Sequence, residues 1–270
     1  MADKKIKWED APSTYDVRGG IFIEEYGDTA SGRTTLALTA PGQISYLYFY
    51  ETARGRVERV AATGKKIKWH KCGGVFRSDN PSHVQKIAWE AVQDFEDHYY
   101  DAYSWARTII VDTHDEAWAL ERLGEFGALK PEKGRVETNY AAINNRWLSM
   151  LNQVRNQGPN PKVNLIMIGQ TGDQWIPDPN NPTGVGKKTG RTVKRDTSAA
   201  RQVGNKADIR IRTYCDLKPG KPPLFRAVIE KAGGNSEMIG LELESREIGE
   251  TINFQNIVGL VTETDPADWE

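Results

Sequence analysis

The sequence predicts an α/β protein: a mostly parallel sheet flanked by helices, with a C-terminal β-hairpin extension. Three observations predict it. Apolar runs that end on polar residues alternate with stretches of helical periodicity, the pattern of parallel strands joined by crossover helices. A glycine-bounded loop joins the apolar run Ile21-Phe22-Ile23 to the helix-like Leu36-Ala37-Leu38. Late in the chain, two β-rich runs, one ending on Ile229-Glu230-Lys231 and one starting at Met238, flank Ala232-Gly233-Gly234-Asn235, a hairpin signature.

A chain of 270 residues can bury a full core. Its organisation reads as an arm over 1–19, one domain over 20–260 and an acidic tail over 261–270. The formal net charge is −1, so any nucleic-acid contact must come from a local basic patch. No apolar run approaches the roughly 20 residues that span a bilayer, so no membrane contact is expected. The first residues, Met1 to Trp8, lack the apolar core of a signal peptide. Cys72 and Cys215 form no ligand cluster and fit a reduced interior, which makes a cytoplasmic location the expectation. His70 stands near Cys72, but without a second pair of ligands a packed or surface role is expected for both.

The polar arm ends in Gly19-Gly20, and Pro41-Gly42 stops the first helix. The aromatic run from Ile44 to Tyr50 is a second core strand closing on Glu51, in the crevice where open α/β sheets bind ligands. Lys66-Ile67-Lys68-Trp69 reads as a short peripheral strand. Asn80 and Pro81 start a helix as cap and first residue, and Val84, Ile87, Ala88, Ala91, Val92 and Phe95 give it one apolar face. Its acids, Glu90, Asp94, Glu96 and Asp97, read as a solvated face.

Thr108-Ile109-Ile110-Val111-Asp112 has the continuous apolar character of a strand buried on both sides. A short helix follows from Ala117, then a longer one with Tyr140, Ile143, Trp147, Leu151 and Val154 on one face. The run from Val163 to Gln170 is another buried strand, ending on an amide. From 171 to 207 hydrophobic periodicity is lost, and Lys187, Lys188, Arg191, Lys194, Arg195, Arg201 and Lys206 face few acids. A structureless stretch far beyond about 12 to 15 residues is functional or disordered. A basic, mobile loop is expected there, followed by an alternating strand at Asp208-Ile209-Arg210-Ile211-Arg212.

The chemistry concentrates at Gly27, Asp28, Thr29, Ala30, Ser31, Gly32, Arg33, Thr34 and Thr35. Strand, glycine-bounded loop, hydroxyl pair and helix form the layout of a phosphate-binding P-loop. There, backbone N–H groups converge on a polyphosphate. Thr34 stands where the motif places a hydroxyl on Mg²⁺, and Asp112, at the end of its strand, stands where the motif family places the acid that holds the same ion. Arg33 occupies the position of the usual lysine. A guanidinium grips phosphate oxygens but is bulkier than an ammonium, so slowed phosphoryl transfer is expected. Asp112 is followed by Thr113 rather than a glutamate, which leaves Glu51 as the candidate base.

With these residues placed, the chain from about Ile21 to Lys231 resembles the RecA-type recombinase ATPases, especially their compact phage relatives that act on single-stranded DNA. The resemblance rests on the 27–35 loop, Tyr50-Glu51, Ile110-Val111-Asp112-Thr113, the strand ending in Gly169-Gln170 before the basic segment, and Val228-Ile229-Glu230-Lys231. It implies a RecA-like core that uses ATP and Mg²⁺ in DNA recombination or strand annealing. It also implies Glu51 activating water, Gln170 sensing the γ-phosphate and the 171–207 segment contacting DNA. Lys231 would reach a neighbouring subunit's ATP, which implies a homo-oligomer, ring or filament, with a single-strand-binding protein as a further partner. Trp69 and Trp175 are candidate stacking faces for bases.

Three other readings stay open: an annealing protein with a relic P-loop, a packaging or helicase-type motor, and a small-molecule kinase whose lid the basic segment imitates. The missing glutamate after Asp112 speaks against the motor.

Overall fold

The structure is a computed structural model that describes residues 20–50, 54–73, 80–129, 136–154, 163–176, 187–194 and 198–269. The N-terminal arm, Glu51 and Arg195 lie outside the described residues.

In chain order the elements are β1 (Phe22–Gly27), α1 (Arg33–Ala37), β2 (Ile44–Tyr48), α2 (Arg54–Ala62), β3 (Ile67–Lys71) and α3 (Pro81–Ala102). Then come β4 (Thr108–Asp112), α4 (His114–Phe126), α5 (Val136–Gln153), β5 (Asn164–Ile176) and β6 (Lys187–Lys194). The last are α6 (Ser198–Lys206), β7 (Ile209–Asp216), β8 (Leu224–Ala232), β9 (Glu242–Ser245) and α7 (Phe254–Thr262). The strand order is β3-β2-β4-β5-β1-β7-β8-β9. From β3 to β7 all neighbours pair parallel, while β8 and β9 add an antiparallel edge.

The sheet is mostly parallel, with helices on both faces. Each face has its own core, because successive side chains of a strand point in opposite directions. On β4, Ile109 and Val111 join Leu165, Met167, Phe95 and Trp147 under α3, α4, α5 and α6. Ile110 joins Ile23, Ile166, Ile168 and Ile211 under α1, α2 and α7. Burial on both sides is why β4 reads as an unbroken apolar run.

Local chemistry sets the helix ends. Asn80 Oδ1 accepts from the backbone N–H groups of Ser82 and His83, satisfying two donors that the first turn leaves open, and Pro81 needs none. The Thr113 hydroxyl caps α4 by accepting from Glu116 N. Gly127, at φ 67°, closes its C-terminus with an N–H to Leu123 O.

Three expectations change. The 171–207 segment is not structureless over its described parts. β5 runs on past the sheet to Ile176 and pairs antiparallel with β6, and α6 follows. Beyond Gly169, β5 and β6 are mostly polar in sequence, so no apolar period betrays the ribbon. The late hairpin is wider than its glycines imply: β8 pairs with β9 from Glu242, after a 3₁₀ turn over Ser236–Met238. The tail folds back, with Trp269 only 1% exposed against Phe254 and its indole N–H on Thr264 Oγ1. The indole outweighs its acidic neighbours because burying a ring of that size removes so much apolar surface from water.

Candidate nucleotide site

β1 delivers the chain to the candidate site. Its Gly27 is needed for closeness: a Cβ there would sit 2.2 Å from Thr213 O and 2.6 Å from Ser31 Oγ. The loop turns tightly, with Ser31 N donating to Asp28 O and the buried Ser31 hydroxyl 2.8 Å from that of Thr213. Ala30 and Gly32 take positive φ angles of 64° and 95°. At Gly32 the requirement is double, because a Cβ would also lie 1.9 Å from Ile248 Cδ1. Thr29 and Ala30 are exposed at the loop's crest. α1 has only five residues, so any anion at this loop would be met by the loop's backbone amides more than by a long helix dipole.

At its far end the loop meets β4. Thr34 Oγ1 donates to Asp112 Oδ2 at 3.0 Å. The same carboxylate oxygen accepts from the Tyr46 hydroxyl of β2, which fixes its direction. Burial and then the Asp112 charge push the Tyr46 phenol far above its usual range, so it stays a donor at any physiological pH. The sequence offered no sign of this role, since Tyr46 sits in an aromatic run that reads as core filler.

Arg33 is half-buried, and its guanidinium donates to Gly169 O of β5. Beneath it lies Glu25, 1% exposed on β1. Burial raises the Glu25 carboxyl well above its normal range, against the opposing pull of Arg33 and with a smaller push from Asp112. β1 therefore continues through two acids, Glu24 and Glu25, that the sequence places beyond the end of its apolar run. The signal present was their position between an apolar triplet and Tyr26-Gly27.

Gln170 pairs with Gly27 across β5 and β1, so the structure brings it beside the loop. Its backbone N–H is held by Asp115 Oδ2 at 2.8 Å. Asp28 ties the loop to the hairpin: Thr171 Oγ1 of β5 donates to its Oδ1 at 2.6 Å and Thr192 Oγ1 of β6 to its Oδ2 at 3.1 Å.

Other expected residues separate. Lys194 turns inward rather than toward DNA: its ammonium pairs with Glu24 and donates to Ala200 O, while Arg210 Nε takes the other Glu24 oxygen at 2.7 Å. A fully buried carboxylate needs such partners more than solvent needs the lysine. The Lys231 ammonium donates to the carbonyls of Gly204, Asn205 and Ala207, capping the C-terminus of its own α6. It lies toward the end of the sheet opposite the loop, since its β7 partner is Arg210 and that residue pairs with Glu24.

Lys188 is exposed, with an ion pair to Asp173 at 2.5 Å, and Arg201 is exposed on α6. Lys187 and Arg191 are placed by their backbone in β6, their side chains lying outside the described residues, as does that of Trp175. Trp69, on the far edge strand, carries Arg54 over its ring at 5.8 Å rather than facing the hairpin.

A pocket of about 570 Å³ opens beside the loop, lined by Thr35, Arg56, Arg59, Phe225, Arg246 and Ile248 among others. Arg56 donates to Thr35 Oγ1 at 2.9 Å. Its volume is in the range of small-molecule sites, and the arginines supply charge for an anionic occupant.

No protein-family model and no curated protein matches the chain. Among solved structures the chain is similar to the RadB recombinase, at 17% identity over 84% of this chain and 86% of that one, with a TM-score of 0.45. It is similar to the flagellar accessory protein FlaH from Methanocaldococcus jannaschii, at 12% identity over 84% of each chain and a TM-score of 0.41. A prototypical ATPase from the type III secretion system of pathogenic bacteria is similar at 15% identity over 72% of this chain and 52% of that one, with a TM-score of 0.39.

Proposed function

We propose that the chain is a RecA-type ATPase that binds ATP with Mg²⁺ at the 27–35 loop and acts on single-stranded DNA through the β5–β6 hairpin. The observation that carries the reading is the Thr34–Asp112 pair, 3.0 Å apart where the loop and the end of β4 converge. A hydroxyl and a carboxylate so placed, with the acid oriented by Tyr46, suit a hard cation that keeps several waters. When bound there, Mg²⁺ neutralises charge on the transferred phosphoryl group.

The chain's own residues do the rest. Loop amides hold the phosphates, Thr34 and Asp112 orient the ion's ligand shell, and the pocket beside Thr35 receives the nucleoside. Glu51 is the proposed base and Gln170 the sensor beside the loop. The Arg33 guanidinium, drawn to Gly169 O, reaches the phosphates from a shifted origin. A misplacement near 1 Å costs about a hundredfold in rate, so turnover is slow.

The DNA assignment is supported by the basic residues of β6, Lys187, Lys188 and Arg191, with Arg195 just beyond and Arg201 on α6. The two threonine bonds from the hairpin to Asp28 support its coupling to the nucleotide. The Lys231 ammonium sits on the carbonyls at the C-terminus of α6, so it gives no support to a reach toward a neighbouring subunit's ATP.

The test is fluorescent-ATP binding and phosphate release, with and without Mg²⁺ and single-stranded DNA, on wild type, Asp112→Asn and Arg33→Lys. Mg²⁺-dependent binding that Asp112→Asn weakens at least about tenfold, and faster turnover in Arg33→Lys, are expected. Absence of ATP binding by the wild type under all these conditions sinks the reading.

A further inference from the structure

A cluster of ligand-type side chains lies outside the nucleotide site, where the edge strand β3 meets α3. Asp94 and His98 stand four apart on α3 and so share a face, and β3 brings His70 against them. His70 Nε2 lies 2.6 Å from Asp94 Oδ2, and His98 Nδ1 lies 3.3 Å from Asp94 Oδ1. The two imidazole rings lie face to face, centroids 3.5 Å apart and planes 11° apart. One ligand atom from each residue falls within 4.8 Å of the others, and among the described residues this is the one such group of three.

We propose that His70, Asp94 and His98 hold a divalent transition-metal ion of the Zn²⁺ class. Two imidazoles and one carboxylate are the donor set of such ions; Mg²⁺ and Ca²⁺ take oxygen ligands instead. His98 Nδ1 also lies 2.7 Å from the backbone carbonyl of Asp94, a contact it gives up on binding an ion through that nitrogen. What a shared ion accounts for is the gathering of two stacked imidazoles beside one carboxylate.

The distances are compatible. Ligand atoms about 2.0–2.1 Å from a tetrahedral ion are about 3.3 Å apart. His98 Nδ1 and Asp94 Oδ1 are already at that separation, while His70 Nε2, 2.6 Å from Asp94 Oδ2, needs to retreat by about 0.7 Å and rotate. Side chains 29%, 43% and 44% exposed have room to do so and leave the ion reachable from solvent. Three protein ligands leave a fourth position for water or for a donor on another molecule. The ion ties β3, whose one sheet neighbour is β2, to the long helix behind it.

The experiment uses the full chain without a histidine tag, stripped by chelator and free of nucleotide. Zn²⁺ is titrated calorimetrically, Co²⁺ is followed by its visible absorption, and melting is recorded with and without Zn²⁺. Wild type, His70→Gln, His98→Gln and, as a control, the exposed His83→Gln are compared, with circular dichroism to verify folding. Expected are one Zn²⁺ per chain, a higher melting temperature with Zn²⁺, affinity lower by at least about tenfold in His70→Gln and His98→Gln, and no change in His83→Gln. Should either cluster variant fail to fold, the other decides. No stoichiometric binding by the wild type, or equal binding by wild type and a folded cluster variant, overturns the proposal.

Discussion

Glu121 and Arg146 join α4 to α5, with Arg146 Nε and Nη2 on Glu121 Oε2 at 3.1 and 2.9 Å. The glutamate is fully buried while a quarter of the arginine side chain meets water, so the cost of desolvation falls on the carboxylate. Burial pushes the Glu121 carboxyl up to about 7, with Arg146 opposing. A folded value above the unfolded one means that this group's contribution is intact below about pH 4.5 and is lost as pH rises through 7. In Glu121→Gln the loss of stability between pH 5 and pH 8 should shrink, by on the order of 3 kcal/mol. Urea midpoints across that range measure it, and an unchanged pH slope contradicts the assignment. Residues such as this were not legible in the sequence. Glu24, Glu25 and Glu121 look like surface acids until the fold surrounds them, whereas Thr34 and Asp112 announce themselves by fixed spacing from glycines and strand ends.

At the scale of elements, the sequence located those whose pattern is local. α3 follows from its Asn80-Pro81 start and six apolar positions, and β4 from its unbroken apolar run. α7 has an equally local pattern, with Asn253 as cap and Phe254, Ile257, Val258 and Val261 buried at helical spacing, but it is not among the helices expected from the sequence, and the expected start of the acidic tail at residue 261 falls within it. The β5–β6 hairpin was not legible, because a mostly polar ribbon has no hydrophobic period to read. Its proposed DNA contact is testable by charge. Reversal at both Lys188 and Arg201 should weaken single-strand binding and flatten the slope of log K against log salt by about 1.4, if each neutralises one phosphate. Fluorescence anisotropy at several salt concentrations measures both, and fluorescent-ATP affinity should stay unchanged. An unaltered salt slope removes these two residues from the interface.

For the whole molecule, two cores share one sheet, and each is closed by an element remote in sequence from the loop. The second is sealed by α7 and by Trp269, so the C-terminal residues support the same layer that carries α1. Ile257 is fully buried there, and Ile257→Ala should cost about 2–5 kcal/mol, read from the denaturant midpoint. A loss below 1 kcal/mol would show that α7 packs loosely on the sheet. The sheet class could be anticipated from alternation along the chain, but the strand order and this closure could not, because the closure depends on pairings more than 200 residues apart, such as Phe254 N to Thr39 Oγ1.

Asp28 has a consequence for the order in which ligands arrive. Its two carboxylate oxygens are held by hydroxyls from the two strands of the hairpin, so the loop's crest and the ribbon's base share a hinge pin. A ligand that resets one end changes the work needed to seat a ligand at the other. If the proposed function holds, such coupling is reciprocal: the factor by which a DNA strand on the ribbon would alter nucleotide affinity equals the factor by which nucleotide would alter the grip on the strand. The chain would then count its two ligands jointly, whichever comes first.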